Sequence, residues 1–365
     1  MYTWCEIDSG ALKSNIAKIR SRLFSDVLFM SVVKQDAYGH GLVEVSKVLD
    51  DSETDFLGVH AEDEALELIE SGIKKPVLIM SNILPNNTLK TLIANSVRFS
   101  VRDEHLLEKL NRTAADLGKQ AFIHIKVDTG MNRLGVNSDV AVPFIMNSLE
   151  KYKNLQLEGI FSHFSSADTD NEYTNFQLNS FNLIVKALSE KGINVPVKHI
   201  SNSAGIMNVP KAQFDLVRSG IAIYGAYSGT GGEELLPVLS LKTKVIHLKG
   251  IPASSSVSYA GTFKTTRNTL LAVVDTGYGH GYPWSLSNKT EVIINGRRRK
   301  IVGRVCMDHM LADVTDDPDV KVGDTVTLIG NDGDQRITAV ELAQKAGTIS
   351  YEILTRLQHI PKRYK

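Results

Sequence analysis

The segment Val27-Leu-Phe-Met-Ser-Val-Val-Lys-Gln-Asp-Ala-Tyr-Gly-His-Gly41 joins an apolar, β-branched run to a glycine-rich turn. The run predicts a buried strand, and Lys34 stands at its end. Burying a lysine ammonium costs several kcal/mol unless its charge or its amine has a use. Desolvation lowers the pKa of a lysine, and an amine with a lowered pKa can form a Schiff base. Lys34 is therefore either a functional amine or a side chain that extends from a strand end to water.

Seven further strand-like runs follow this one, separated by amphipathic segments that end at a glycine. The eight predicted strands are Val27–Lys34, Asp55–His60, Val77–Ser81, Val97–Val101, Phe122–Asp128, Leu157–His163, Val197–Ser201 and Leu216–Ser219. The intervening helical patterns include Ala61–Gly72, Glu104–Gly118 and Asn175–Gly192. Eight strands with helices between them, over about 200 residues, are typical of a (β/α)₈ TIM barrel. A doubly wound sheet is disfavoured because no glycine-rich phosphate loop follows the first strand.

After Gly232 the sequence pattern changes to successive strand-like runs without long helices between them. The predicted strands are Leu239–Leu248, Thr269–Asp275, Glu291–Ile294, Lys300–Arg304, His309–Val314 and Thr325–Ile329. Asn295-Gly296 predicts a hairpin turn, and the basic run 297–300 after it predicts solvated surface. A helix at Ala339–Ala346 and an extended tail complete this region. We expect an N-terminal strand in residues 1–12 that joins the β domain, a barrel in 13–233, and a mostly β C-terminal domain in 234–365.

Composition excludes several functional classes. Forty-one basic and 41 acidic residues give a formal net charge of zero, so nothing favours binding to nucleic acid or to a membrane surface. No run approaches the roughly 18 apolar residues of a membrane span, and the N-terminal residues lack the features of a secretory signal. Cys5 and Cys306 are too few for a disulfide scaffold and badly spaced for a metal site. We therefore expect a cytoplasmic enzyme without a metal.

Unusual polar residues stand at the ends of the predicted barrel strands, where a TIM barrel carries its chemistry. A lone histidine at a strand end is more often structural, but polar residues at five strand ends on one face are poorly explained by packing. These residues are Lys34 and Tyr38, then Lys126, Asp128 and Arg133, then Ser162 and His163, then His199, Asn202 and Ser203, and finally Arg218, Gly220 and Ile221. The pattern predicts a functional site at the barrel mouth.

These segments resemble the motifs of the alanine racemase family over essentially the whole chain. The most specific blocks are Lys34–Gly41, His124–Arg133, His199–Ser203, Val257–Tyr259 and Gly303–Asp308. The resemblance implies an amino-acid racemase that uses pyridoxal 5′-phosphate, bound covalently to Lys34. It implies the following cofactor-binding residues: Lys34, Tyr38, His163, Asn202, Ser203, Arg218, Gly220, Ile221 and Tyr351. Among these, Arg218 would face the pyridine nitrogen, with His163 behind it.

The same resemblance implies two acid/base groups on opposite faces of the substrate. Lys34 would serve one face, and Tyr259 from a partner subunit would serve the other, with Met307 of that subunit beside it. The implied assembly is a head-to-tail homodimer with shared sites. Arg133 would contact the substrate carboxylate. Lys126 matches a lysine that is often carbamylated in the family, and an ordinary ion pair with Asp128 is the alternative.

An arginine at the pyridine nitrogen has a physical meaning. A carboxylate there would keep the ring protonated and make it a strong electron sink. A guanidinium stays protonated, so it donates to the nitrogen and leaves the ring neutral. Fast reprotonation at Cα is then favoured over transamination or decarboxylation, which suits a racemase.

Alternatives stay open at this point. Residues 282–288 also resemble the racemase domains of vancomycin-resistance serine racemases, so a serine or broad-specificity racemase, or a domain of a membrane-anchored protein, is the main alternative. Gln35 and His280 depart from the commoner family pattern. The bulk of Tyr351 favours alanine over serine. A non-catalytic cofactor-binding barrel and a decarboxylase fit less well, because the chain has a C-terminal β domain with Tyr259 and no evident carboxylate for the ring nitrogen.

Overall fold

The computed structural model describes residues 2–81 and 86–365. Its first region contains strands and helices in alternation. In chain order these are β1 (Trp4–Ile7), α1 (Ser9–Arg20), β2 (Leu28–Val32), α2 (Lys34–Gly39), α3 (Leu42–Asp50), β3 (Phe56–Val59), α4 (Glu62–Glu70), β4 (Val77–Ile79), α5 (Asn86–Ala94), β5 (Arg98–Val101), α6 (Glu104–Asp116), β6 (Ala121–Asp128), β7 (Val136–Asn137), α7 (Ala141–Lys151), β8 (Leu155–Phe161), α8 (Asn171–Glu190), β9 (Val197–His199), α9 (Ser203–Asn208) and β10 (Leu216–Ser219).

Eight of these strands form a parallel barrel. The hydrogen-bonded order is β10-β2-β3-β4-β5-β6-β8-β9, so each strand lies beside its neighbour in sequence apart from the short β7. The barrel closes between β9 and β10, where the Asp215 amide donates to the Lys198 carbonyl at 3.1 Å and the Arg218 amide to the Ser201 carbonyl at 3.0 Å. The strands are mainly apolar and largely buried, as parallel strands covered by helices must be. The predicted TIM barrel is confirmed.

The second region is mostly β. Its elements are β11 (Leu239–Ile251), β12 (Ser256–Val257), β13 (Phe263–Lys264), β14 (Thr269–Val274), β15 (Glu291–Ile294), β16 (Arg297–Lys300), β17 (Met310–Asp313), β18 (Thr325–Asp332), β19 (Gln335–Ile337), α10 (Ala339–Ala346), α11 (Ser350–Thr355) and β20 (Lys362–Tyr364). The long β11 organises the sheet, because β1, β14 and β18 all pair with it antiparallel. The predicted β domain after the barrel is confirmed.

Both ends of the chain lie in this sheet. β1 pairs antiparallel with β11 and parallel with β20. The strand occupies only residues 4–7 of the predicted N-terminal segment 1–12, and Met1 lies outside the described residues. The Asp8 carboxylate accepts a hydrogen bond from the Ala11 amide at 2.8 Å, and this N-cap begins a helix where the prediction had placed the rest of that segment.

Two predictions in the β domain are wrong in detail. The strand predicted at Lys300–Arg304 is observed at Arg297–Lys300, because Asn295 and Gly296, both with positive φ, form a tight turn that places the next residue directly in register with β15. The basic run 297–300 is also not simply solvated surface. Arg298 pairs with Glu341 at 2.8 Å, and Arg299 pairs with the buried Asp317.

Candidate active site

A pocket of about 440 Å³ opens at the carboxyl ends of the barrel strands. Most of the side chains predicted for the site line it. They are Lys34, Tyr38, Lys126, Arg133, His163, Asn202, Ser203, Arg218, Gly220, Ile221 and Tyr351. The strand order brings these residues together from β2, β6, β8, β9 and β10, while Tyr351 comes from α11 in the β domain. Tyr259 and Met307 do not line this pocket.

The turn after β2 sets the position of Lys34 and Tyr38. Residues Gln35 to Tyr38 have φ between 51° and 56°, which is one turn of left-handed backbone. The Ala37 amide donates to the Val33 carbonyl at 2.8 Å, so the chain folds back at once over the end of the strand. Both Lys34 and Tyr38 therefore line the same pocket.

The pocket is strongly cationic. Its walls carry Lys34, Lys126, Arg133 and Arg218, and none of the described lining residues is an aspartate or glutamate. Burial, with a smaller contribution from Arg133, lowers the pKa of Lys34. Burial and the same arginine lower the pKa of Lys126 to about 8. Such a pocket favours an anionic ligand and supplies amines that lose their protons readily.

Arg218 is fixed by neutral acceptors. Its guanidinium donates to His199 Nδ1 at 2.8 Å, to the Ser162 carbonyl at 2.8 Å and to the Ile200 carbonyl at 3.1 Å. It also lies 3.1 Å from His163 Nδ1, the neighbour predicted behind it. Burial lowers the pKa of Arg218 to about 9. None of these partners is a carboxylate, so none of them neutralises the positive charge that Arg218 brings to the pocket.

A buried row of hydrogen bonds continues from Arg218 through the barrel interior. His199 Nε2 lies 2.9 Å from His124 Nδ1, and His124 Nε2 lies 2.9 Å from Glu158 Oε2. Glu158 also accepts two hydrogen bonds of 3.0 Å from Arg98. Burial alone would raise the pKa of Glu158, but the hydrogen bonds from His124 and Arg98 lower it to about 2. The order of donors requires both histidines to be neutral with the proton on Nε2.

Sequence reasoning missed this row as a unit. From sequence, His199 is predicted only as one of the polar residues at the strand ends, His124 has no predicted role, and Arg98 and Glu158 are not predicted. A signal was present, because His124 and Glu158 interrupt the apolar runs of β6 and β8 at mid-strand. Buried or nearly buried polar side chains inside barrel strands are expected to bond to one another, because leaving them unpaired costs free energy.

A small polar cradle occupies one end of the pocket. The Gly220 amide donates to Ser203 Oγ at 3.1 Å, and a Cβ on Gly220 would overlap the Tyr38 hydroxyl, so these three groups are adjacent. Burial raises the pKa of Tyr38 above its ordinary value, which keeps its hydroxyl a donor. The Tyr351 ring lies 6.0 Å from the Tyr38 ring. Hydroxyl and backbone N–H donors grouped in this way suit a phosphate.

Asn202 and Lys126 occupy the flanks of the site. The Asn202 carboxamide caps α9 through the Gly205 amide at 3.0 Å and lies 3.3 Å from His163 Nε2. The alternative ion pair of Lys126 with Asp128 is not formed. Instead, Asp128 accepts from two backbone amides of the following loop at 2.9 and 3.0 Å, while the Lys126 ammonium lies over the Phe161 ring.

Tyr259 and Met307 lie together on the outside of the β domain. They are 69% and 56% exposed, so neither serves the pocket of its own chain. The hydroxyl of Ser258, the residue before Tyr259, donates to the Arg304 carbonyl at 2.7 Å and lies 3.4 Å from Cys306 Sγ. These contacts hold the two loops side by side. Trp284 and Tyr278, 51% and 41% exposed, add further aromatic surface to the domain.

The part of the chain that the structure describes contains neither a cluster of metal-ligand side chains nor a membrane-spanning helix. No group of three or more histidine, cysteine, aspartate or glutamate side chains in this part of the chain could hold a metal ion. None of its helices is long and apolar enough to cross a membrane.

Comparison with known proteins agrees with the geometry. Residues 7–228 match the family described as alanine racemase, N-terminal domain, and residues 238–365 match alanine racemase, C-terminal domain. The chain is 41% identical to the alanine racemase of Halothermothrix orenii over 370 residues, covering 100% of this chain and 97% of that protein.

Solved structures give the same result. The alanine racemase of Clostridium difficile 630 superimposes with a TM-score of 0.92 at 35% identity, covering 100% of this chain and 96% of that one. The alanine racemase of Bacillus anthracis with bound L-Ala-P superimposes with a TM-score of 0.91 at 34% identity, with 100% and 95% coverage.

Proposed function

Because this chain belongs to the alanine racemase family, we propose that it interconverts L- and D-alanine with pyridoxal 5′-phosphate as its cofactor. One observation carries the proposal: the barrel mouth holds a desolvated lysine and a phosphate-type cradle in one cationic pocket without a described acidic residue. A cofactor with an aldehyde and a phosphate fits this arrangement, because the aldehyde can react with the lysine amine and the cradle can hold the phosphate.

The residues that would hold the cofactor fall into groups according to the part of the cofactor that each would bind. The Lys34 amine would bind it covalently, and the cradle of Tyr38, Ser203 and the amides of Gly220 and Ile221 would hold its phosphate, with Tyr351 alongside. Asn202 and His163 would flank it. When bound, pyridoxal phosphate supplies an electron sink that acidifies the Cα–H of the attached amino acid.

Arg218 would face the ring nitrogen. Its other N–H groups are occupied by fixed carbonyl and imidazole acceptors, so its orientation is determined before any ligand binds. A permanent donor at that position would leave the ring nitrogen without a proton of its own and would make the ring a weaker electron sink. This favours return of a proton to Cα, which is racemisation, over transfer elsewhere.

Proton transfer would use two groups on opposite faces of Cα. The Lys34 amine, whose pKa burial lowers, takes or returns the proton on one face. The second group is Tyr259 of a partner subunit, because Tyr259 and Met307 are exposed on the β domain and absent from the lining of their own pocket. A homodimer would thus complete each site.

Substrate recognition would rest on Arg133 and Tyr351. Arg133 places a cation at the pocket wall for the substrate carboxylate. The phenol of Tyr351, 40% exposed and facing the Tyr38 ring, limits the space for the β-carbon and so favours alanine over serine. Lys126 has no ion-pair partner among the described residues, and the lowered pKa of its amine favours carbamylation, which would give Arg133 an anionic neighbour.

The proposal also includes the domain boundaries and the role of the enzyme in the cell. We place the barrel at 13–233 and the β domain at 234–365. We expect the enzyme to supply D-alanine for peptidoglycan in the cytoplasm.

Incubation of the purified protein with L-alanine in deuterated water tests the proposal. We expect D-alanine to form with deuterium at Cα, and we expect Lys34→Ala to abolish both the reaction and the absorbance of the lysine-bound cofactor. Activity retained by Lys34→Ala without an added amine would overturn the assignment of Lys34. Bound cofactor without exchange at Cα would indicate a non-catalytic cofactor-binding barrel instead.

A further inference from the structure

The turn that holds Lys34 has an unfavourable backbone conformation. Gln35, Asp36, Ala37 and Tyr38 all have φ above 50° and ψ between 37° and 57°, and none of them is glycine. L-residues disfavour this left-handed region, and a run of four is rare. Such a turn persists only when surrounding groups hold it. The position of the Lys34 amine therefore depends on whatever holds residues 35–38.

Much of that support comes from the C-terminal end of the chain. Lys362 Nζ lies 2.8 Å from Asp36 Oδ2, and the lysine side chain is only 11% exposed. The Tyr364 hydroxyl donates to the His40 carbonyl at 3.2 Å. Further side-chain support comes from Glu64, whose carboxylate accepts from the Gln35 amide at 2.5 Å. The ring of His40 adds to it, since Nδ1 lies 3.0 Å from the carbonyls of both Ala37 and Tyr38.

Two glycines of the turn face this C-terminal segment. A Cβ on Gly39 would overlap the Leu354 carbonyl oxygen of α11, and a Cβ on Gly41 would overlap the Tyr364 hydroxyl. Both glycines also have positive φ. Their small size is thus required by the approach of residues 350–364, which pack directly against the backbone of the turn.

The segment is itself anchored in the β domain. β20 pairs in parallel with β1, from Cys5 opposite Lys362 to Ile7 opposite Tyr364. The Cys5 amide donates to the Pro361 carbonyl at 2.9 Å. At its other end the same segment carries Tyr351 and Thr355, which line the pocket. One continuous piece of chain therefore links the β sheet, the pocket wall and the back of the Lys34 turn.

We propose that residues 350–364 act as a clamp that holds the left-handed turn and so positions the Lys34 amine, with Lys362 and Tyr364 as positioning residues. Neither residue lines the pocket, so both act through the turn. The inference rests on the proposed function for the role of Lys34, but the clamp itself is a property of the backbone. Loss of the clamp should loosen the turn and slow catalysis without weakening substrate binding, because positioning contributes to the reaction step.

Hydrogen exchange on the full-length protein, followed on peptides that cover residues 33–41, tests the clamp. For Lys362→Met we expect exchange of these amides to accelerate at least about tenfold and kcat to fall about tenfold, with KM within about twofold of wild type. Lys362→Arg keeps the ion pair and should restore both. Lys365→Met is the matched control, because Lys365 lies on the same tail but pairs with Glu6 and does not reach the turn. It should behave as wild type.

A milder variant covers the case in which Lys362→Met fails to fold. Tyr364→Phe removes only the hydroxyl that bonds to the His40 carbonyl, and faster exchange in 33–41 without a change in the unfolding midpoint would support the clamp. Exchange and kcat within twofold of wild type in the folded variants would overturn it. Absence of racemase activity in the wild type would refute the proposed function, yet the exchange measurement would still decide the clamp.

Discussion

Tyr351 is the residue at which substrate choice is decided in our proposal. Its phenol lines the pocket beside Tyr38, and burial raises its pKa to about 12, so it remains a neutral, bulky hydroxyl donor at any physiological pH. A bulky ring leaves room for a methyl group, whereas a smaller amide would open space and offer a hydrogen bond to a serine hydroxyl. A site that satisfies an extra hydroxyl gains about 1–3 kcal/mol in discrimination.

We therefore predict that Tyr351→Asn shifts the ratio of kcat/KM for serine over alanine upward by about tenfold or more. Tyr351→Phe is the control, because it keeps the bulk of the ring and removes only the hydroxyl. Chiral product assays with both L-amino acids measure the ratios. An unchanged ratio in Tyr351→Asn, whatever the absolute rates, would show that this side chain only anchors the cofactor.

The residues that line the barrel mouth could be predicted from sequence, because the order of the strands determines which side chains meet there. Lys34, His163 and Arg218 stand far apart in sequence, yet each ends a parallel strand, and the ends of such strands share one face. What the sequence could not show was the left-handed turn at residues 35–38. Besides the local contact of His40, its conformation depends on Glu64 and on the C-terminal residues, which are distant in sequence and cannot be read from local preferences.

At the scale of elements, the row from Arg98 to Arg218 links four barrel strands, β5, β6, β8 and β9, to β10. Each histidine accepts from one neighbour and donates to the next, so the carboxylate of Glu158 determines the tautomers of His124 and His199. Through His199 it also determines which atom is presented to Arg218. The row is thus a positioning network behind the residue proposed to face the ring nitrogen.

We predict that Glu158→Leu destabilises the protein by about 3 kcal/mol, because it leaves the Arg98 guanidinium and the His124 N–H without their acceptor. Glu158→Gln keeps an acceptor for one of them, so its loss should be clearly smaller. Urea unfolding of both variants at one protein concentration measures the difference. Equal stabilities for wild type and Glu158→Leu would show that the row contributes nothing.

Element boundaries were predictable where a local signal exists. α10 occupies the predicted Ala339–Ala346, between a threonine N-cap and Gly347 with positive φ. The prediction for β16 lay three residues too far along the chain, because the strand Arg297–Lys300 contains no apolar residue and the apolar pair Ile301-Val302 follows it. The arginines of β16 are held by Asp317 and Glu341 from other elements, and an isolated stretch of sequence cannot show such partners.

At the scale of the whole molecule, three buried histidines and the half-buried His163 make folding sensitive to acid. Burial lowers the pKa of His40 to about 4 and lowers the pKa values of His124, His163 and His199 below the ordinary value. Above pH 6.5 these groups are neutral in both folded and unfolded chains. Below it, the unfolded chain binds protons that the folded chain does not, so the free energy of unfolding falls.

We predict a loss of about 1.4 kcal/mol per pH unit for His40 alone as the pH falls from about 6.5 to about 4, with the other three adding to it. Unfolding in urea at fixed protein concentration, from pH 7.5 down to pH 5, measures the slope. His40→Asn should reduce it, and His105→Asn, at an exposed position, should not. A free energy of unfolding that is constant over this range would contradict the prediction.

In the proposed homodimer, the two catalytic groups Lys34 and Tyr259 come from different subunits. If Tyr259 of one subunit completes the site of Lys34 in its partner, then neither Lys34→Ala nor Tyr259→Phe supports turnover alone, since a missing general base typically costs about 10²–10⁴-fold. In a mixed dimer, however, one of the two sites receives both wild-type residues, while the other receives both substitutions. Co-refolding equal amounts of the two variants should therefore restore about a quarter of wild-type activity, half of the dimers being mixed and half of their sites intact. Tagging each variant differently and purifying the mixed dimer should raise this to about half.

The alternative, in which Tyr259 serves its own chain, predicts no recovery, because every site would then carry one substitution. The 69% exposure of Tyr259 and its absence from its own pocket favour the shared site, and failure of complementation in a purified mixed dimer would exclude it.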